Sequence, residues 1–121
     1  MKRDMDVIRK IVLAVSDAPS FVNSVDGVSR EDFAAHAQLL EEAGLIRAAI
    51  QGEGNRIANA AVIYRLTWDG QDFADSIADD TLWNKAKTNV LKPSASWTFG
   101  VLREYLKMEI TRLVPGLDQL V

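Results

Sequence analysis

The chain has 121 residues, 48% of them apolar and 26% charged, with a net charge of −3. That is the size and balance of a single domain with a real hydrophobic core. It has no cysteine, which excludes disulfides, thiolate metal sites and cysteine nucleophiles and suits a reducing compartment.

The first ten residues are charged, four bases against two acids. Arg9 and Lys10 break the apolar run that follows, which argues against a secretory signal or a membrane span there and for a cytoplasmic protein. Asp4 is placed to cap a first helix over about 5–16, with Val7, Ile8, Ile11, Val12 and Val15 on one face. Pro19 lies just past its end. Residues 21–25 are β-branched and partly alternating, which predicts a short strand stopped by the turn dipeptide Asp26-Gly27.

Ser29 opens the second helix, and Asp32 three residues later resembles a capping box. Phe33, Ala37, Leu40 and Ala43 repeat as its inward stripe, and Gly44 is a natural left-handed stop. Glu31, Asp32, Ala35, Gln38, Glu41 and Glu42 then point outward. Residues 45–50 and 61–66 predict two strands, joined by a polar, glycine-rich tip at 51–59. Gly52-Glu-Gly54 lacks the lysine, hydroxyl and third glycine of a phosphate loop and belongs to that tip.

Thr67 is the expected cap of a third helix that holds Phe73, Ile77 and Ala78 inward. Its aspartates gather toward the N-terminus, where the helix dipole favours them. A fourth helix follows Asp80-Thr81 with Leu82, Trp83, Ala86 and Val90 inward, and Pro93 ends it. Ser94 or Ser96 is expected to cap a fifth helix reaching about Val114, with an apolar stripe of Phe99, Leu102, Leu106, Ile110 and Leu113. The three tryptophans, Trp68, Trp83 and Trp97, stand at or near helix starts and are expected to pack the last helices onto the core.

The expected fold is therefore α+β, mainly α. A winged-helix-like core of helix, short strand, helix and β-hairpin wing fills 1–67, with three further helices over 68–121 of one domain. Such a fold ordinarily reads DNA with the helix before the hairpin. Here the supporting helix before it is missing, and residues 30–44 carry four acids against one arginine. Duplex affinity comes from bases that neutralise phosphates, so this helix disfavours nucleic acid.

Two binding readings follow. An acidic surface of Glu31, Asp32, Gln38, Glu41 and Glu42 suits docking on a protein partner by charge complementarity. The alternative is a DNA-binding regulator using Ser29, Arg30, Gln38, Arg56, Lys2 and Arg3, with a wider basic surface if Arg9, Lys10, Lys85, Lys87 and Lys92 come together. A homodimer through Phe99, Leu102, Tyr105, Leu106 and Ile110 is a further expectation, with Val101 widening that face.

Catalysis finds no footing. His36, the single histidine, stands without a nucleophile or metal partners and reads as structural. Asp69, Asp72, Asp75, Asp79 and Asp80 lie on a helix rather than in a calcium loop and read as a solvated face. No metal and no small-molecule cofactor is expected.

Four blocks in order carry a resemblance: Met1-Lys-Arg-Asp-Met-Asp-Val-Ile-Arg-Lys-Ile, His36-Ala-Gln-Leu-Leu-Glu-Glu-Ala-Gly-Leu-Ile46, Arg65-Leu-Thr-Trp-Asp-Gly-Gln-Asp-Phe73 and Asp79-Asp-Thr-Leu-Trp-Asn-Lys-Ala-Lys87. Together they resemble a family of small proteins common in prophages and other mobile elements, described as a domain of unknown function. The resemblance covers almost the full length. It implies a winged-helix-like fold and a bacterial or phage origin, with the bacterial host cytoplasm as the setting. It implies no activity and no site residues. In that setting the protein-docking reading becomes an inhibitor or modulator of a host defence or transcription complex.

Overall fold

The computed structural model describes residues 1–52, 56–91 and 99–113. Five α-helices and one two-stranded antiparallel sheet make an α+β, mostly helical chain: α1 (Met5–Asp17), α2 (Arg30–Glu42), β1 (Ile46–Gln51), β2 (Ala60–Leu66), α3 (Trp68–Ile77), α4 (Asp80–Ala86) and α5 (Phe99–Leu113). The chain divides into two compact units, Met1–Ala74 and Asp75–Val121. The division falls inside α3 rather than before it.

In the first unit local chemistry sets most element ends. The Asp4 carboxylate accepts from the backbone N–H groups of Asp6 and Val7, 2.9 and 3.3 Å away, and so caps α1. Met5, Ile8, Ile11, Val12 and Val15 form its buried face. Ser29 Oγ accepts from Asp32 N at 3.1 Å and caps α2. At the other end Leu45 N donates to Leu40 O and Gly44 N to Glu41 O, with Gly44 at φ +77°. These two bonds are a Schellman motif, and the buried pair Leu40 and Leu45 supplies its apolar contact.

The short strand expected at 21–25 shrinks to one bridge, Val22 with Ile63. The polar residues after Val22 and the left-handed Gly27 turn the chain away before a ladder forms. Within the hairpin Arg47 faces Arg65 but Ala48 faces Ile63, so Tyr64 has no opposite residue and forms a β-bulge. Ile46, Ile63 and Leu66 point into the core, where α2 packs against α1 and both strands.

Thr67 begins α3 as expected: its hydroxyl accepts from Gly70 N at 3.1 Å and donates to Gly44 O at 2.6 Å. A side chain at Gly70 would run into the Leu45 carbonyl, so the first turn of α3 lies directly on the α2–β1 turn. Phe73 and Ile77 are buried, but Ala78 lies past the helix end and is exposed.

In the second unit Asp79 caps α4, accepting from Leu82 N at 2.8 Å. Leu82, Trp83 and Ala86 are buried, and Val90 is half-buried. The helix then widens into a π-helical turn, Lys87–Leu91, which periodicity did not foretell. The expected stops and caps at Pro93, Ser94 and Ser96, the third tryptophan Trp97, and the end near Val114 lie outside the described residues.

Candidate functional site

The helix before the hairpin is the natural place to look for a binding surface, and its exposure is unusual. Residues 33–37 of α2 are all buried. At 100° per residue, five consecutive positions pass right round the helix, so its middle has no free face. Ala35, expected outward, is covered, while Ala43, expected inward, is the exposed cap residue. Its exposed residues lie at its ends: Arg30, Glu31 and Asp32 in the first turn, Glu42 in the last.

Two residues assigned to the acidic face do internal work instead. The Gln38 amide donates to Arg56 O at 3.0 Å and accepts from Ala58 N at 2.9 Å. Both ends of the amide are spent on fastening the returning arm of the hairpin loop to α2. Gln38 is therefore not a free base reader or docking residue. Glu41 is half-buried and accepts from Ala48 N at 3.2 Å, satisfying a backbone group of β1. Ser29 likewise uses its hydroxyl as the helix cap. Of the five docking residues, Glu31, Asp32 and Glu42 remain exposed.

His36 is 1% exposed and joins α1 to α2. Asp4 N donates to Nε2 at 2.9 Å, and Nδ1 lies 2.7 Å from Asp32 O. A backbone N–H only donates and a carbonyl only accepts. Nε2 must then be the acceptor and Nδ1 the protonated nitrogen, which makes the ring the neutral Nδ1–H tautomer. Both nitrogens are committed, so the structural reading of His36 stands on geometry.

The bases assigned to DNA come from separate stretches of the chain. Lys2, Arg3, Arg30 and Arg56 are exposed on the first unit, Lys85 and Lys87 belong to the second, and Lys92 lies outside the described residues. The sheet holds basic and aromatic residues that sequence reasoning passed over. Arg47 and Arg65 face each other, like charges in directly opposed positions. The bulge turns Tyr64 to solvent beside them. Trp68, expected to pack inward, is 85% exposed, whereas Trp83 is buried.

The face expected to pair two copies along α5 is partly used within the chain. Leu102 and Leu106 are fully covered by the chain itself, and Phe99 and Ile110 are half-buried. The Arg103 guanidinium sits over the Phe99 ring, 5.5 Å from its centre. Tyr105 is half-buried, with its hydroxyl accepting from Asn89 Nδ2 at 2.8 Å. The large apolar residues that α5 exposes, among those described, are Val101 and Met108, each 50% accessible. Sequence reasoning also passed over Glu109, a buried carboxylate held by Lys85 Nζ at 3.1 Å and Arg112 Nη1 at 3.2 Å. Its partner on α4 lies 24 positions away, beyond any local pattern.

Among the described residues no group of three or more His, Asp or Glu side chains is arranged to hold a metal ion. Among them too, no helix is long and apolar enough to cross a membrane.

The chain is similar to an uncharacterised protein of Haemophilus influenzae, 29% identical over 119 residues that cover 94% of this chain and 99% of the relative. No solved structure matches it. Residues 2–96 match the family described as hypothetical protein (DUF2513), and the chain belongs to that family.

Proposed function

We propose that the chain is a non-enzymatic binding protein of winged-helix type that docks on a protein partner through the acidic ends of α2. The observation that carries this reading is the exposure of α2: residues 33–37 are covered all round, and three of its four exposed residues are acids. Glu31 and Glu42 stand eleven positions apart, which puts them within about 20° of one helix side and about 16 Å apart. Two carboxylates at that spacing repel a phosphate backbone and complement a basic groove on a protein. The order α1, Val22 bridge, α2, hairpin supports the winged-helix reading, with a turn in place of the supporting helix. A prophage or mobile-element origin makes a host defence or transcription complex the natural target.

The test is quantitative capture from host lysate by the wild-type chain and by Glu31→Lys with Glu42→Lys. Both residues are exposed, so the fold tolerates the change. Loss of the captured partner supports acidic docking. Undiminished capture sinks it, and salt-sensitive duplex binding in its place turns the reading to a DNA-binding regulator.

A further inference from the structure

The outer edge of β2 is only partly paired among the described residues. Val22 and Ile63 exchange two hydrogen bonds, N to O in each direction, both 2.8 Å. Ile63 therefore turns its N–H and C=O away from β1, toward the outer edge of β2. Strand geometry repeats every two residues, so Ala61 turns its N–H and C=O to that same edge. Gln51 confirms the phase: its carbonyl accepts from Asn59 N at 3.0 Å on the β2 side, as it must if residues 60 and 62 face β1 and 61 does not. Beyond Val22 the neighbouring chain has already turned away. Ala61 is buried, yet no group among the described residues pairs with its N–H or C=O. The outer edge of β2 at Ala61 is thus open strand, the geometry that strand addition uses.

A groove of about 670 Å³ opens at this edge, with Ala61, Asn23 and Ser24 in its lining and the apolar side chains of Phe33, Ile50 and Val62. Its lining carries a single charge, Arg30, which is exposed and makes no ion pair or hydrogen bond among the described residues. A free donor–acceptor pair on a strand edge, apolar lining and one cation together describe the recognition of an extended acidic peptide by strand addition.

We infer that this groove binds an extended segment of a partner protein, which pairs with Ala61 as a short added strand and sets an acidic side chain against Arg30. The inference goes beyond the acidic docking proposed above, because it uses the edge of β2 and the one base in the first turn of α2 rather than its acids.

Two measurements on the full chain test it. In the free protein the Ala61 amide exchanges with solvent about tenfold or more faster than those of Val62 and Ile63, which are hydrogen-bonded. Peptides are then selected on the chain from a displayed library of random linear sequences. The recovered peptides alternate apolar residues, carry at least one Asp or Glu, and slow Ala61 exchange when bound. Arg30→Glu weakens them about tenfold, while Glu31→Lys with Glu42→Lys does not, which separates this site from the acidic one. Protection of Ala61 in the free chain overturns the inference. So does a selection that recovers no peptide, one that recovers helical peptides, or peptides that leave Ala61 exchange unchanged. Concentration-dependent protection without peptide overturns it as well, by making a second copy the occupant.

Discussion

At the scale of single residues, the informative side chains are polar ones used inside the fold. His36 spends one nitrogen on the N-cap residue of α1 and the other on its own helix. A phenyl ring keeps most of the volume and loses both bonds. His36→Phe is therefore expected to destabilise the chain by about 1–3 kcal/mol through the orphaned Asp4 N–H, measured by urea unfolding; an unchanged midpoint would show that packing alone holds the two helices. Gln38 performs the same kind of task for the hairpin loop. Gln38→Ala should cost about 1–2 kcal/mol and speed amide exchange at Ala58, while β1 and β2 keep theirs. Neither role was legible beforehand. A helix cap is written within three or four residues, as at Asp4, Ser29 and Thr67, and those were read from the sequence. The partners of His36 and Gln38 lie 32 and up to 20 positions away, and nothing local names them.

At the scale of elements, helix α3 and the α4–α5 pair each offer a decision between two effects. Helix propensity favours alanine over glycine by about 1 kcal/mol, so Gly70→Ala ought to stabilise α3 if the site were open. The Leu45 carbonyl occupies the place of the new methyl, and overpacking against backbone costs about 1–3 kcal/mol. We expect net destabilisation in denaturant unfolding; a gain in stability would mean that α3 does not rest on Leu45. On α5, Glu109 is buried while Lys85 and Arg112 remain more than half exposed. Removing both bases strands a buried carboxylate, whereas Glu109→Gln removes the charge itself. The double variant Lys85→Ala with Arg112→Ala should thus lose more stability than Glu109→Gln, by about 1–2 kcal/mol once solvent screening of the exposed bases is allowed for. The reverse order would mark the cluster as an ordinary surface pair. The elements themselves were largely legible, because apolar spacing and the Gly44-Leu45 signal are local. The bulge at Tyr64, the π-helical turn after α4 and the exposure of Trp68 were not, since each is set by what packs beside it.

At the scale of the whole molecule, order of elements and use of surface part company. Helix, bridge, helix and hairpin follow one another, and the helix that the proposed winged-helix reading would send into a groove is an internal one, fastened to the hairpin by Gln38 and to β1 by Glu41. Three of the four exposed residues of α2 are acids, and the bases come from separate stretches of the first unit or belong to the second. The most direct test is titration of the full chain with mixed-sequence duplex DNA at low and moderate salt, alongside Arg30→Glu and Arg56→Glu. The predicted result is no binding at low salt, where attraction to phosphates is strongest. Micromolar binding that weakens steeply with salt and falls on either substitution would contradict it and make α2 and its hairpin a nucleic-acid surface.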